Sequence, residues 1–234
     1  MATEEEDDYS GPIADQPHDH PTKPLSHQII AKYEESQFDP EARKFLPAGC
    51  IENLVTPEAI IKELDGKSRL DPKDLNLSEP KKRVVDFIRE RATAVFATAI
   101  VSGFCEKDLR LAMRYFMSIP FTDGKLPVTK KDLIGHVGSL PNLWSELRIY
   151  NFCQEQWRFL APVFSQQKFK FDLKPDHVLP FMEKSSGGDV KEGAFGRVFR
   201  VRIHPAHQKD PVKDVRPFPI SFDAQNDVVL IDIV

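Results

Sequence analysis

Gly193 and Gly196 flank the dipeptide Ala194-Phe195, and a short alternating run comes directly after them. Phe199, Val201 and Ile203 are apolar, whereas Arg200, Arg202 and His204 are polar. That is period two, so the segment after the glycines reads as a half-buried strand. A loop tip without side chains lets backbone N–H groups come close to an anion, and phosphate is the usual guest of such loops. Val198 is the one apolar residue on the Arg200/Arg202 face, which places it to cover a flat apolar group. The bland alternative is a plain β-hairpin turning on glycine.

Phosphate loops differ in the element they lead into. The Walker loop and the dinucleotide fingerprint both open a helix. A G-x-x-G-x-V pattern leading into a strand fits the protein-kinase Gly-rich loop instead. The run from Gly193 through Val198 and Ile203 to His204-Pro205-Ala206-His207 resembles the start of the kinase domain in a group of filamentous-fungal protein-kinase-like proteins. Upstream, Gln156-Trp157-Arg158-Phe159-Leu160-Ala161-Pro162-Val163-Phe164 and Leu179-Pro180-Phe181 resemble the extension that precedes that domain, so the likeness spans roughly Leu54 to His207. It implies ATP as ligand, Mg²⁺ as its companion in a complete family member, and Ser/Thr as phosphate acceptor. The candidate nucleotide-binding residues are Lys191, Glu192, Gly193, Ala194, Phe195, Gly196 and Val198, with Lys213 as the candidate for the strand lysine. One departure is plain: the family pattern has a third glycine where this chain has Lys191.

Phosphoryl transfer needs more than a phosphate loop. It needs a strand lysine and its Glu partner, a catalytic Asp, and an Asp and Asn to hold Mg²⁺. The sequence contains no His-Arg-Asp, Asp-Phe-Gly or Ala-Pro-Glu, so no catalytic residue is assigned. Lys213 sits among prolines in Pro211-Val212-Lys213-Asp214, which argues against a central strand. The 36 residues after Val198 are too few for a catalytic lobe, so the chain is expected to be a fragment or a truncated product.

The elements that must position the loop are mostly helical. Leu25, Ile29, Ile30 and Tyr33 have helical spacing and predict a helix over 25–38. Phe45-Leu46-Pro47-Ala48-Gly49 breaks the chain. Thr56-Pro57-Glu58 carries an N-cap, a first-turn proline and an acid at the positive end of the dipole, and Gly66 supplies the stop. A long helix is predicted over 79–102, capped by Ser78 and ended by Gly103, with Val84, Phe87, Ile88, Val95, Phe96 and Ile100 on its stripe. Another helix continues over 105–117, with Leu109, Ala112, Met113 and Phe116 inward. Asp123-Gly124 marks a turn. A helix over 141–155 is predicted to pack Leu143, Trp144, Leu147, Tyr150 and Cys153. From Lys168 the period changes to two: 168–173, 178–182 and 227–234 read as strands.

The expected fold class is therefore α+β, a mainly helical N-terminal region followed by a short hairpin region resembling the start of a kinase N-lobe. Residues 1–24 read as a disordered acidic tail, 25–165 as the helical extension and 166–234 as a partial nucleotide lobe. Residues 1–20 hold seven acids and no Lys or Arg, and removing them from a net charge of −4 leaves about +3 on the rest. That is too mild for nucleic-acid binding. Hydrophobic residues make up 41%, with 17 Phe, enough for a substantial core. Cys50, Cys105 and Cys153 form no metal spacing and no disulfide framework. The longest uncharged apolar stretch, 92–105, has 14 residues, short of the about 20 a membrane span requires. With no signal peptide visible, an intracellular location, cytoplasmic or nuclear, is expected. Lys81-Lys82-Arg83 reads as a solvated helix face before it reads as an import signal, and His18 and His20 as part of the tail before a metal site. A second functional reading, from another class, is that 25–165 acts as a protein-interaction or regulatory module, because it has caps, amphipathic helices and aromatics but no chemistry.

Overall fold

The computed structural model describes residues 23–37, 39, 41–67, 70–71, 76–165, 171, 173–184, 191–193, 196–209, 218–221 and 228–231. The fold is α+β, with helices dominating up to residue 155 and strands after it. Residues 1–22 of the tail reading fall outside the described residues, whereas Lys23 and Pro24 lead directly into α1; residues 168–170 and 172 of the strand expected at 168–173 also fall outside, and Phe171 and Leu173 lie in no strand.

Eight helices are described: α1 Leu25–Ile30, α2 Cys50–Leu54, α3 Pro57–Asp65, α4 Glu79–Arg91, α5 Thr93–Val101, α6 Glu106–Ser118, α7 Lys130–Val137 and α8 Glu146–Glu155. α3 is bounded as its sequence requires. The Thr56 hydroxyl accepts the Ala59 N–H at 3.2 Å, and Gly66 adopts φ 64° at the other end. A first short pairing, β1 Glu34–Glu35 with β2 Lys44–Phe45, follows α1.

α5 is the centre. Val95, Phe96, Ala97, Thr98, Ala99 and Ile100 are all buried, so this helix is enclosed on every side rather than amphipathic. Its polar groups are satisfied locally: Thr98 Oγ1 donates to Ala94 O at 2.7 Å and Ser102 Oγ to Thr98 O at 2.6 Å. It ends at Gly103 with φ 91°, where the Phe104 N–H returns to Ala99 O at 3.1 Å. Against it lie aromatic contacts of Phe104, Phe116, Phe121, Trp144 and Phe152, with Phe116 stacked on Phe121 at 4.6 Å and Phe104 tilted against Trp144 at 4.6 Å. Arg148 crosses the outer face of Phe104 at 4.6 Å and pairs with Asp108 at 2.8 Å.

Four helical expectations are corrected. The helix at 25–38 ends at Ile30, and Tyr33 stands outside it. The helix at 79–102 is two helices, broken at Ala92 (φ −141°, ψ 34°). The break is held from both sides: Thr93 Oγ1 donates to Ile88 O and Arg89 O, and Asp123 Oδ1 accepts the Val95 N–H at 2.9 Å, capping α5 from a distant turn. Ser78 stands at the start of α4, but its side chain makes no capping bond. The helix at 141–155 begins only at Glu146, after Ser145 caps it through the Arg148 N–H. Residues 141–144 form a turn, which resets the helical phase. Ile149 and Phe152 therefore face inward, while Leu147 and Tyr150 are 67% and 56% exposed. The helices α2 and α7 have no counterpart among the expectations.

The larger sheet contains β4 Phe181–Lys184, β5 Lys191–Gly193, β6 Gly196–Ile203, β8 Phe218–Ser221 and β9 Val228–Ile231. Its order is β4-β6-β9-β8, with β5 also on β6. Val198 pairs with Lys191 on one side and Val228 on the other, and Val201 with Lys184 and Ile231. A residue has one neighbour on each edge, so β4 and β5 are two pieces of one lane, both antiparallel to β6 and both opposite β9. β9 runs parallel to β6, and β8 antiparallel to β9. The strand read at 178–182 is present from Phe181, and that at 227–234 as β9.

Candidate functional site

The glycine hairpin is formed. Lys191 stands opposite Val198, Glu192 opposite Arg197, and Gly193 opposite Gly196, which leaves Ala194-Phe195 as the two-residue connection. Five of the eight candidate residues are thus brought together in registered strands. Ala194, Phe195 and Lys213 lie outside the described residues. The kinase pattern places its lysine on the next strand along the sheet. The next strand in sequence, β7 Gln208–Lys209, instead leaves this sheet and pairs in parallel with β3 Phe164–Ser165. The lane beside β6 is filled by β9.

What fixes the hairpin to the rest of the molecule is the turn after β6, which in the sequence reads only as a loop with two histidines. Pro205 opens a 3-10 turn, Pro205–His207, and the His204 imidazole accepts the Ala206 N–H at 3.1 Å. The turn reaches the helical part at several points. The His204 N–H donates to Pro180 O at 2.8 Å, and His204 Nε2 lies 3.3 Å from Glu34 of β1. His207 is 2% exposed. Its Nε2 accepts the Ala48 N–H at 3.0 Å, so the proton sits on Nδ1, 3.1 Å from Pro162 O. Phe45 of β2 lies edge-on to both rings, at 5.8 Å from His204 and 5.2 Å from His207. Beside them the Gln37 N–H donates to Phe181 O at 2.8 Å, and Phe181 stacks on Phe164 at 6.2 Å. Phe181, Ile203, Val178 and Phe164 are all buried there. The signal in the sequence is His-Pro directly after a period-two run, which marks a strand end but not what the histidine meets.

Burial holds the His207 pKa below the ordinary histidine value, with His204 acting in the same direction. Hydrogen bonding to Pro162 and Leu46 and the Glu34 carboxylate oppose it. Burial likewise raises the Tyr33 phenol, helped by Glu155 and opposed by Arg158. It also raises the Cys153 thiol, opposed by Lys130.

Two cavities of about 570 Å³ open on the helical part. One is lined by Tyr33, Arg43, Trp157 and Arg158 among others. Its two arginines are already matched, Arg43 to Asp39 at 2.8 Å and Arg158 to Glu155 at 2.6 Å, which leaves neither guanidinium uncommitted for an anionic ligand. Among the described residues no group of three or more His, Cys, Asp or Glu could hold a metal, and the three cysteines are free thiols. No described helix is long and apolar enough to cross a membrane. No family model, no curated protein and no solved structure matches the chain.

Proposed function

We propose that this chain carries a nucleotide-phosphate-binding hairpin of the protein-kinase type on a helical extension, with ATP as the ligand. The observation that carries this reading is the registration of Gly193 against Gly196 at the end of a two-stranded ribbon that continues into a longer sheet strand. That arrangement leaves the ribbon's tip without side chains at two of its four positions, which is what close approach of backbone N–H groups to phosphate requires. Binding is weak, because Lys191 occupies a glycine position of the pattern. These 234 residues do not transfer phosphate unaided, because they contain none of the catalytic or Mg²⁺-holding motifs. The experiment is titration of the purified chain with ATP and Mg²⁺, then incubation with labelled ATP and a generic protein substrate. Saturable weak binding, lost in Gly196→Val, and label incorporation at background are expected. Absence of any ATP binding would overturn the nucleotide reading. Turnover abolished by Lys213→Ala would overturn the claim of no transfer.

A second reading keeps the helical part as a protein-interaction or regulatory module. It is favoured by Leu147 and Tyr150, large apolar side chains three apart on α8 and turned to solvent. A polypeptide ending at Phe164 that melts cooperatively and keeps α8 helical supports it; a melt without a transition counts against it.

A further inference from the structure

The turn after β6 carries a buried imidazole whose two nitrogens are both committed to the helical part. Ala48, the donor to Nε2, belongs to the loop between β2 and α2, and Pro162, the acceptor from Nδ1–H, lies just before β3. One side chain therefore ties together three segments far apart in sequence, and it does so only in one tautomer of the neutral ring. We propose that His207 is a pH-sensitive clasp: neutral, it fastens the β6–β7 turn to the β2–α2 loop and to Pro162, and protonated, it lets that turn go. This goes beyond the nucleotide reading and does not depend on it.

The chemistry is a loss of complementarity. A neutral Nδ1–H imidazole offers one donor and one acceptor, which matches Pro162 O and the Ala48 N–H. An imidazolium offers two donors and no acceptor, so Nε2–H then points at the Ala48 N–H across 3.0 Å. No water-facing escape exists, since the residue is 2% exposed. The groups around it are few. Phe45 of β2 presents a ring edge, Leu46 comes next in the chain, His204 stands on the same turn, and Glu34 of β1 faces His204 rather than His207. The Glu34 carboxylate favours the protonated ring and His204 disfavours it. Burial favours the neutral form in the closed state, so the clasp is shut at neutral pH. Closure weakens as pH falls below the ordinary histidine value and is lost through the lower value of the closed state. What opens is the seam between the β4–β6 sheet and the helical part, because the same turn continues into β7, which pairs with β3.

The test is amide hydrogen exchange on the full chain, read as protection factors at pH 7.5 and 5.5, with the His207 ring followed by NMR. The Ala48 and β7 amides are expected to lose protection by up to about tenfold per pH unit between the ordinary histidine value and the lower His207 midpoint of the closed state, and to level off below that midpoint. The α5 amides are expected to stay protected. His207→Gln, which keeps one donor and one acceptor without titrating, removes the pH step. His204→Gln keeps it. Unchanged Ala48 protection between the two pH values overturns the proposal. So does a step in His207→Gln equal to that of the native chain, or loss of α5 protection in parallel, which marks general acid unfolding. The native chain alone also decides it: Ala48 protection that keeps falling below the His207 ring midpoint, or that levels off well above it, overturns the clasp.

Discussion

The helical part and the sheet are built on opposite principles. Around α5 nearly every apolar side chain is enclosed by the helical bundle, and the Thr98 and Ser102 hydroxyls bond to carbonyls one turn back. The strand region combines hairpins, β5 with β6 and β8 with β9, with pairings between distant segments: β6 with β9, β3 with β7 in a second small sheet, and the His207 turn with Ala48. Local contacts form early and resist local opening, whereas non-local pairings carry loop-closure entropy before they return any contact energy. The glycine hairpin is set on the second kind of structure, and the buried α5 core, the frame, belongs to the first. Rigidity and the candidate site are thus separated, and the seam at Phe181, Ile203 and His207 is where they meet.

The largest effect should come from truncating the frame. Phe96 has no exposed surface, and Phe96→Ala is expected to cost about 3–5 kcal/mol in urea unfolding. Protection in α5 and β6 should fall together, because the sheet rests on the frame. Phe181→Ala removes an equally buried ring from the seam. Its loss should show as faster exchange in β4 and β6 with α5 unchanged. If Phe181→Ala lowers α5 protection as much as Phe96→Ala does, the two parts are one cooperative unit and the contrast fails.

A smaller effect is expected at Gly66. Its φ of 64° is left-handed, and a Cβ there would lie 2.7 Å from Glu106 Cδ. Gly66→Ala should cost about 1–2 kcal/mol for the backbone alone. The displaced Glu106 side chain is flexible enough to turn away. Thermal unfolding checks this, and a neutral outcome would mean that the C-terminus of α3 is not fixed by its cap.

These effects bear on what the sequence could tell. Signals contained in one turn were legible: Thr56-Pro57 and Gly66 around α3, Gly103 after α5, and the period-two run of β6. What failed had its cause elsewhere in the chain. The break at Ala92 needs Asp123, which sits in another turn and takes the Val95 N–H. The phase of α8 was misread because Leu143, Leu147 and Tyr150 fit one stripe only if the helix begins at Pro141, and it begins after Ser145. The glycine hairpin itself was legible as a hairpin. Its parallel neighbour β9 and its anchorage through His207 were not, since parallel partners and a histidine's contacts leave no periodic trace.

Asp123 gives a further test of tertiary capping. Burial raises its pKa, and hydrogen bonds from the Val95, Ala94 and Thr93 backbone oppose the rise. The folded state therefore binds the proton more readily than the unfolded chain does. Its charged form at neutral pH carries a burial cost that is relieved as pH falls toward the carboxylate range. Asp123→Ala should lose about 1 kcal/mol by leaving the start of α5 uncapped. Asp123→Asn keeps an acceptor without the charge. It should be no less stable than the native chain at pH 7, with the difference closing on acidification. Urea midpoints at pH 7 and 4.5 decide it, and a gap that widens on acidification reverses the sign argued here.

The smallest effect is expected at Leu147, and its contrast with Ile149 separates packing from surface on a single helix. Leu147 and Ile149 are two residues apart on α8, yet the first is 67% exposed and the second 6%. Ile149→Ala should cost about 2–5 kcal/mol, because it removes methyl groups from a site enclosed by the frame. Leu147→Ser should fall within about 0.5 kcal/mol of the native chain, because its side chain leaves little apolar contact to lose. The pair is a direct measure of the helical phase. If both residues lay on the stripe that begins at Pro141, Leu147→Ser would cost as much as Ile149→Ala. Equal losses in urea unfolding would place Leu147 in the core and remove the exposed α8 face. A near-silent Leu147→Ser leaves that face apolar, exposed and without a stabilising role in this chain, which is the condition under which a docking surface and a fold-bearing surface can be told apart.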